Sequence, residues 1–228
     1  MSRLALGILG SGKGSNCRAI LEQIRAGKLA AEARLVVSDF FEAGILDIAR
    51  EFGVPNVYLP PGKFRTRLEP QVEMQLVRML QAAGVELVVL AGFMRVLKEQ
   101  ILAAFPRRII NLHPSLLPKF PGVEAWTQAL AAGEKFTGCT VHYVDAGIDS
   151  GEIIAQREVP IKPEDTPESL HARIQIAERE LYPEVIGRFC GALGSAIRDA
   201  PLFDRGREAP AMLDRAACPH KEPSKSDR

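Results

Sequence analysis

The chain has 228 residues, of which 46% are hydrophobic, and its 29 Lys and Arg residues nearly balance its 28 Asp and Glu residues. This length is enough for one sizeable core, and a formal net charge of +1 gives no global excess that would indicate nucleic acid or an anionic membrane as a partner. The four cysteines form no C-x-x-C pair, and no apolar run is long enough to span a bilayer. Because the first residues lead directly into an apolar segment, without a signal peptide, we expect a cytoplasmic protein with reduced thiols.

Strand-like and helix-like segments alternate along the first two thirds of the chain. Short apolar runs predict strands at residues 4–9, 33–37, 57–59, 87–90 and 108–112. Apolar residues at helical spacing predict helices at residues 16–24, 43–52, 68–83 and 97–105. This alternation predicts an α/β fold with a mostly parallel, Rossmann-like central sheet and helices on both of its faces.

The pattern changes after Pro121-Gly122. A helix is predicted at residues 123–132, strands at 139–144 and 152–157, and a long helix at 168–193 that we expect to be interrupted near Pro183. From Asp204 onward the chain is charged and contains prolines, with little to bury. We therefore expect residues 201–228 to form a loosely ordered tail.

Asn111 and His113 lie two residues apart at the end of a predicted strand. Because successive side chains of a strand point to opposite faces, these two face the same side and can enter one pocket. Pro114 and Pro118 disfavour a helix here, so we expect the pair where the strand opens into a loop. An amide donor beside a titratable imidazole suits a reaction that passes through an oxyanion and moves a proton. The alternative is a packed histidine and a loop-stabilising asparagine with no catalytic role.

A glycine-rich turn, Gly10-Ser11-Gly12-Lys13-Gly14-Ser15-Asn16, follows the first predicted strand and opens a helix. Backbone amides at a helix N-terminus bind phosphate well. One candidate ligand is a dinucleotide, with Asp39 as the ribose-binding acid although the third glycine is missing. Others are a nucleoside triphosphate, although glycine replaces the usual Ser or Thr, and a monophosphate held by Gly14, Ser15 and Asn16. A plain turn with Ser15 or Asn16 capping the helix is the non-functional alternative.

Asp149 lies in a glycine-rich loop between the two later strands and can orient an imidazole. Asp145, in the same loop, is an equally good candidate, and either residue can instead form an Asx turn. The four histidines have no metal-ligand spacing, and no nucleophile elbow is present. We therefore expect neither a metal site nor a covalent intermediate.

Together these segments resemble the phosphoribosylglycinamide formyltransferase family over residues 4–193. The segments that carry the resemblance follow one another in the family's order: Ser11-Gly12-Lys13-Gly14-Ser15-Asn16, Leu90-Ala91-Gly92-Phe93-Met94-Arg95-Val96-Leu97, Asn111-Leu112-His113-Pro114-Ser115-Leu116-Leu117-Pro118-Lys119, Gly138-Cys139-Thr140-Val141-His142 and Asp149-Ser150-Gly151. Each segment alone is weakly specific, whereas their ordered combination is highly specific.

The resemblance implies a role for each segment. Residues that match the family's catalytic residues are Asn111, His113 and Asp149. Residues that match its contacts to the phosphate and ribose of the ribonucleotide are Gly14, Ser15, Asn16 and Glu178. Residues that match its contacts to the co-substrate 10-formyltetrahydrofolate are Arg67, Met94, Arg95, Val96, Leu97 and Asn111. Arg65 is the alternative to Arg67 as the folate-contacting arginine.

The implied reaction is direct transfer of the formyl group to the primary amine of glycinamide ribonucleotide, through a tetrahedral intermediate, in de novo purine biosynthesis. Asn111 would donate to the oxyanion, His113 would pass a proton to the departing nitrogen, and Asp149 would orient His113 and raise its pKa. The resemblance implies one formyltransferase domain at residues 1–200, with a nucleotide-phosphate-binding half at 1–105 and a catalytic and folate-binding half at 106–200. It implies small-molecule partners without a metal, nucleic acid or membrane, and a monomer or homodimer.

Three positions depart from the family's usual residues: Asp39 replaces an asparagine, and Trp126 and Arg179 each replace a common histidine. Related enzymes remain as alternatives. Methionyl-tRNA formyltransferase normally has a further C-terminal domain, and formyltetrahydrofolate deformylase normally has an N-terminal regulatory domain. A nucleotide-binding module without catalytic activity is the alternative from a different class.

Overall fold

A seven-stranded sheet runs through residues 3–190, the part of the chain that the computed structural model describes. The strands lie in the order β3-β2-β1-β4-β5-β6-β7. Their bounds are β1 Leu4–Leu9, β2 Ala31–Ser38, β3 Asn56–Tyr58, β4 Leu87–Leu90, β5 Ile109–His113, β6 Phe136–Tyr143 and β7 Ile153–Pro160. The pairings from β3 to β5 are parallel, whereas β6 and β7 pair antiparallel. The prediction of a mostly parallel α/β sheet is confirmed.

Within the described residues, five helices connect these strands and a sixth follows the last strand. Their bounds are α1 Ser15–Arg25, α2 Gly44–Glu51, α3 Pro70–Ala82, α4 Glu99–Ala104, α5 Ala125–Ala131 and α6 Pro167–Cys190. Helix α3 begins two residues later than predicted, because Pro70 takes the first helical position, where its missing N–H costs nothing. The predicted tail at residues 201–228 lies outside the described residues.

Two predictions about the last third are wrong. Helix α6 continues through Pro183, because Tyr182, Pro183 and Val185 are all buried in the core. Strand β6 begins at Phe136 rather than at residue 139, since its ladder with β7 extends as far as the pair Phe136 and Pro160. Gly138 permits this extension, because a Cβ atom there would lie 2.0 Å from the carbonyl oxygen of Arg157.

Buried side chains form two clusters on opposite faces of the sheet. Neighbouring residues of one strand alternate between them, so that Ile8 packs in one cluster and Leu9 in the other. The first cluster includes residues of α1, α2 and α6, and the second includes residues of α3 and α4. The prediction of helices on both faces is therefore confirmed.

The carboxyl ends of β1, β4 and β5 meet at one edge of the sheet. The chain leaves β1 towards β2 on one side and later returns to β4 on the other, which makes this edge a topological switch point. Tyr182 is fully buried beneath it, and its hydroxyl lies 2.9 Å from the carbonyl of Leu90 and 3.1 Å from that of Ile110. Leu90 itself lines the cleft, and Ile110 immediately precedes Asn111, which also lines it.

Candidate active site

Asn111 and His113 lie together at the carboxyl end of β5 and line one cleft. Strand β6 runs beside them in antiparallel register, with His142 opposite Asn111 and Thr140 opposite His113. His113 is buried, whereas Asn111 is partly exposed. The sequence pattern therefore predicted correctly that the two side chains share one face.

Asp149 reaches this pair from the loop between β6 and β7. Its Oδ2 atom lies 3.3 Å from Nδ1 of His113, and its Oδ1 atom accepts a hydrogen bond of 3.3 Å from Nδ2 of Asn111. The backbone N–H of Gly122 also donates to Oδ2, at 2.9 Å. Asp149 has a φ of +50°, a conformation that aspartate tolerates better than most residues. Asp145 instead closes a local turn by accepting from Gly147 at 3.0 Å.

The imidazole of His113 lies between two hydrogen-bond acceptors. Its Nε2 atom donates to the carbonyl of Phe120 at 2.8 Å, and its Nδ1 atom faces Asp149. Since only the doubly protonated ring can donate to both acceptors, Nδ1 is the atom at which a proton is gained or lost. Burial lowers the pKa of His113, and it outweighs the opposite effects of Asp149 and the Phe120 carbonyl. Asp149 thus raises this pKa, as expected, but burial is the larger effect, and the net pKa of His113 is lowered.

His142 is part of this cluster, although sequence analysis gave it no role of its own. Its Nδ1 atom donates to the carbonyl of Tyr143 at 2.8 Å, so that Nε2 can accept from Nδ2 of Asn111 at 3.2 Å. The Oδ1 atom of Asp149 lies 3.6 Å from the same Nε2 atom. The segment Gly138-Cys139-Thr140-Val141-His142 was part of the resemblance, but only the strand register brings His142 opposite Asn111.

Burial and hydrogen bonds have opposite effects on the carboxyl group of Asp149. Burial raises its pKa, but the contact with His142, the hydrogen bond from the Gly122 amide and the charge of His113 together lower it below its ordinary value. The group is therefore held as a carboxylate beside His113, which suits it to orient the ring.

The cleft has a volume of about 430 Å³, which lies in the range for small-molecule sites. Its lining includes all four residues from Met94 to Leu97, together with Asn111, His113 and Asp149. Leu90, Val96 and Val144 give it an apolar wall, which suits a flat ring system with polar edges. The predicted folate-contacting segment and the predicted catalytic residues therefore share one cavity.

Arg67 is placed next to this segment, although it does not line the cleft. Its backbone pairs with Val96 in an isolated bridge, and its guanidinium lies 4.2 Å from the ring centre of Phe64. The backbone N–H of Val96 donates to the carbonyl of Thr66 at 2.8 Å. The loop that carries Arg65 and Arg67 is thus attached to the predicted folate-contacting segment.

The glycine-rich turn ends at Gly14, which is the N-cap of α1. Gly14 has a φ of +78°, and a Cβ atom there would lie 2.8 Å from Cα of Ile45, so a side chain cannot be accommodated. No side chain caps α1, so the alternative of a helix capped by Ser15 or Asn16 is wrong. The amides of the first turn are consequently available to an anion.

Asn16 and Glu178 come together although they are 162 residues apart in the chain. Nδ2 of Asn16 donates to Glu178 at 3.0 Å, and Oδ1 of Asn16 is buried without a partner among residues 3–190. Burial raises the pKa of Glu178, while the Asn16 hydrogen bond and the charge of Arg179 oppose that rise. This polar pair suits ribose hydroxyl groups, which both donate and accept hydrogen bonds.

Two further departures from the family pattern have clear positions. Trp126 lines the cleft and stacks on His171 of α6, with ring centres 3.7 Å apart and planes 3° from parallel.

Asp39 does not line the cleft. Both of its carboxylate oxygens are engaged by Ser11 and Arg95, which weakens the dinucleotide interpretation that needed Asp39 for a ribose.

Between residues 3 and 190, no group of three or more His, Cys, Asp or Glu side chains is arranged to hold a metal ion. None of the helices in this same range has the length and apolar character needed to cross a membrane.

The family model described as formyl transferase matches residues 4–186 of the chain. The chain therefore belongs to the formyl transferase family, whose members are enzymes that transfer a formyl group, and its fold is that of the family's solved structures.

Similar proteins within this family are named for formyl transfer to phosphoribosylglycinamide or for purine biosynthesis. Phosphoribosylglycinamide formyltransferase of Bacillus subtilis is 40% identical over 184 residues, covering 81% of this chain and 93% of that protein. The trifunctional purine biosynthetic protein adenosine-3 of Drosophila pseudoobscura is 45% identical over 188 residues, which are 81% of this chain but only 14% of that protein. The structure of glycinamide ribonucleotide transformylase 1 from Symbiobacterium toebii superposes with a TM-score of 0.79 at 45% identity, covering 83% of this chain and 88% of that one.

Proposed function

We propose that the chain transfers the formyl group of 10-formyltetrahydrofolate to the primary amine of glycinamide ribonucleotide, as a step of de novo purine biosynthesis. The observation that carries this proposal is the convergence of Asn111, His113 and Asp149 in one cleft of a formyl transferase fold. The name of the B. subtilis relative, which the match covers over 93% of its length, supports the same acceptor substrate.

The two ends of the site suit the two substrates. The apolar cleft with residues 94–97 along its wall suits the folate, which supplies an activated formyl group when it is bound. The uncapped N-terminus of α1 and the Asn16–Glu178 pair suit the phosphate and ribose of the ribonucleotide. A phosphorylated small acceptor accounts for this second set of groups better than water does, because water has no phosphate to bind.

The cluster of polar residues can stabilise an oxyanion and move a proton. Asn111 holds its N–H groups towards Asp149 and His142, and turning one of them into the cleft places a donor at the reacting carbonyl oxygen. Nδ1 of His113 takes up the proton that the attacking amine loses and transfers it to the departing folate nitrogen. Asp149 orients the ring and stabilises its charged form.

The experiment that tests the substrates is a spectrophotometric formyl-transfer assay with three acceptors: glycinamide ribonucleotide, water and methionyl-tRNA. We expect formylation of glycinamide ribonucleotide alone. Release of formate without the ribonucleotide would instead identify a deformylase. Tight binding of NAD or ATP without any transfer would identify a nucleotide-binding module.

Variants of the polar cluster test the residue roles. We expect Asn111→Ala and His113→Ala each to lower the rate by at least about 100-fold, the usual cost of losing an oxyanion donor in the first case and a proton-transfer group in the second. Asp149→Asn should lower the rate strongly. Asp145→Asn should lower it much less, because the amide oxygen of the new asparagine can still accept the hydrogen bond from Gly147. Near-normal turnover in a folded His113→Ala variant would contradict the role given to His113.

A further inference from the structure

Asp39 lies at the carboxyl end of β2, outside the cleft, with only 4% of its side chain exposed. Each of its carboxylate oxygens has a different partner. Oδ1 accepts from the hydroxyl of Ser11 at 2.5 Å, and Oδ2 accepts from Nε of Arg95 at 2.6 Å. A nearly buried carboxylate needs such partners, because an unpaired charge is costly in the protein interior.

Both partners lead to the same pair of residues in the wall of the cleft. The hydroxyl of Ser11 accepts a hydrogen bond of 2.9 Å from the backbone N–H of Met94, and the second partner is the side chain of the next residue, Arg95. The Asp39 carboxylate is therefore connected to two consecutive residues. It reaches the backbone of Met94 through the Ser11 hydroxyl, and it binds the guanidinium of Arg95 directly.

The guanidinium of Arg95 extends this connection to a second loop. Its Nη1 atom donates to the carbonyl of Phe64 at 3.0 Å and also to the carbonyl of Arg65. This loop is the one whose next residues, Thr66 and Arg67, pair with Val96. Arg95 is thus engaged by protein groups and only 18% of its side chain is exposed.

We propose that Asp39 is a positioning residue for the folate, which holds the wall segment at residues 94–97 and the loop at residues 64–67 in the conformation that binds it. The identity of the ligand as a folate rests on the proposed function, whereas the hydrogen bonds that connect Asp39 to these two segments do not depend on it. Aspartate suits this task better than the family's usual asparagine, because a carboxylate can accept from both Ser11 and Arg95. An amide has only one acceptor oxygen.

Hydrogen exchange in the ligand-free protein tests the connection directly. In Asp39→Ala we expect faster exchange in peptides that cover residues 91–97, where the Met94 amide loses the support of an oriented Ser11 hydroxyl. Exchange in β1 and β4 should be unchanged. Asp39→Asn should restore part of the protection, because it retains one acceptor. Glu42→Ala is the matched control, since this carboxylate is only three residues away but exposed, and it should exchange like the wild type.

Kinetics and binding then test the consequence for the folate. In Asp39→Ala we expect the KM for 10-formyltetrahydrofolate, and the Kd for tetrahydrofolate measured by calorimetry, to rise about tenfold, which corresponds to about 1.4 kcal/mol. The KM for glycinamide ribonucleotide should stay the same. Adding Ser11→Ala to Asp39→Ala should cause little further loss, because both changes break the same connection.

Several results would overturn the proposal. One is wild-type exchange at residues 91–97 together with wild-type folate affinity in Asp39→Ala. Another is an equal rise of both KM values. If Asp39→Ala does not fold, Ser11→Ala carries the test, and unchanged exchange of the Met94 amide in that variant rejects the connection. Absence of formyl transfer in the wild type would reject the proposed function, and the exchange experiment would still decide whether Asp39 holds the segment.

Discussion

At the scale of single residues, the site depends on how His113 is balanced between two opposing influences. Its ring is buried, which disfavours the charged form, but both nitrogens face acceptors that favour it. The net effect is a lowered pKa, so the neutral ring prevails in the empty site near neutral pH. A ring in this balance can take up a proton when charge develops beside it and release that proton afterwards.

Replacing Asp149 by asparagine should lower the pKa of His113 further. The carboxylate raises this pKa, so its removal leaves burial less opposed. An NMR titration of the imidazole resonances in the folded, ligand-free protein measures the change. His171 on α6 is the internal reference, because its pKa is lowered by burial alone and should stay the same. A raised or unchanged pKa of His113 in Asp149→Asn would contradict the arrangement.

Folding stability gives a second measure of the same group. The pKa of His113 is lower in the folded protein than in the unfolded chain. Between the folded value and the ordinary value of 6.5, the unfolded chain therefore binds more protons than the folded protein does. The contribution of His113 to the unfolding free energy therefore rises with pH through this window, and it is lost as the pH falls. Urea denaturation of wild type and His113→Gln across the window should show a smaller slope in the variant.

Residue-level prediction from sequence succeeded where a short-range rule applied. Asn111 and His113 are two residues apart on one strand, so alternation alone puts them on one side. The choice of Asp149 over Asp145 depends on how the loop between β6 and β7, at residues 144–152, folds back over the sheet, and the residues alone left it open. The role of His142 depends on the register of β6 against β5, which local sequence does not determine.

At the scale of elements, the loop after β5 is built to deliver the Phe120 carbonyl to His113. The hydroxyl of Ser115 donates to the carbonyl of Lys119 at 2.6 Å, which closes the loop on itself. The hydroxyl of Thr140, on the neighbouring strand, donates to the carbonyl of Ser115 at 2.6 Å and accepts from the N–H of Leu117 at 3.1 Å. The strand pair β5–β6 therefore positions the histidine and also the loop that orients its ring.

Tyr182 of α6 should be the most important single hydroxyl for the edge where β4 and β5 end. Its loss in Tyr182→Phe leaves the carbonyls of Leu90 and Ile110 buried without this donor. We expect the unfolding free energy to fall by about 1 kcal/mol, the usual net contribution of one buried hydrogen bond. Urea denaturation measures the loss, and Tyr58→Phe on the partly exposed strand β3 is the matched control, expected to be near neutral. Equal stability of both variants would show that the hydroxyl of Tyr182 does not hold the strands.

Element prediction was accurate in type and less accurate at the ends. The strands at residues 4–9 and 87–90 are found with the same bounds, because each is a continuous apolar run buried on both faces. The expected break at Pro183 did not occur, since burial of α6 outweighs the lost hydrogen bond. Tertiary packing of this kind is not visible in a local window.

At the scale of the whole molecule, the sheet order explains why distant segments form one site. Strands β1, β4 and β5 are neighbours although they begin at Leu4, Leu87 and Ile109, so their carboxyl ends bring the glycine-rich turn, the folate segment and the catalytic pair together. Helix α6 then closes the structure beneath this edge and supplies Glu178 and Tyr182. The alternation of strands and helices predicted this edge, and the last two strands were predicted with Asp149 between them. The antiparallel pairing of β6 with β5, which brings Asp149 to the catalytic pair, had to be seen in the structure.

The core beneath this edge should be sensitive to alkaline pH, because two buried thiols lie in one cluster. Burial raises the pKa of Cys17 and of Cys139 from the ordinary value of 9.0 to about 12. Between these values the unfolded thiols lose their protons while the native thiols keep them, so stability is present below pH 9.0 and falls as the pH rises through the window.

Each thiol should contribute a slope of up to about 1.4 kcal/mol per pH unit above pH 9. Urea denaturation at a series of alkaline pH values measures this slope for the wild type and for Cys17→Ala, Cys139→Ala and the double variant. Other groups also titrate in this range, so the prediction concerns the difference between proteins: each replacement should make the decline less steep, and the two effects should add because the thiols titrate independently. Equal slopes in the wild type and the double variant would mean that the core opens before the thiols ionise.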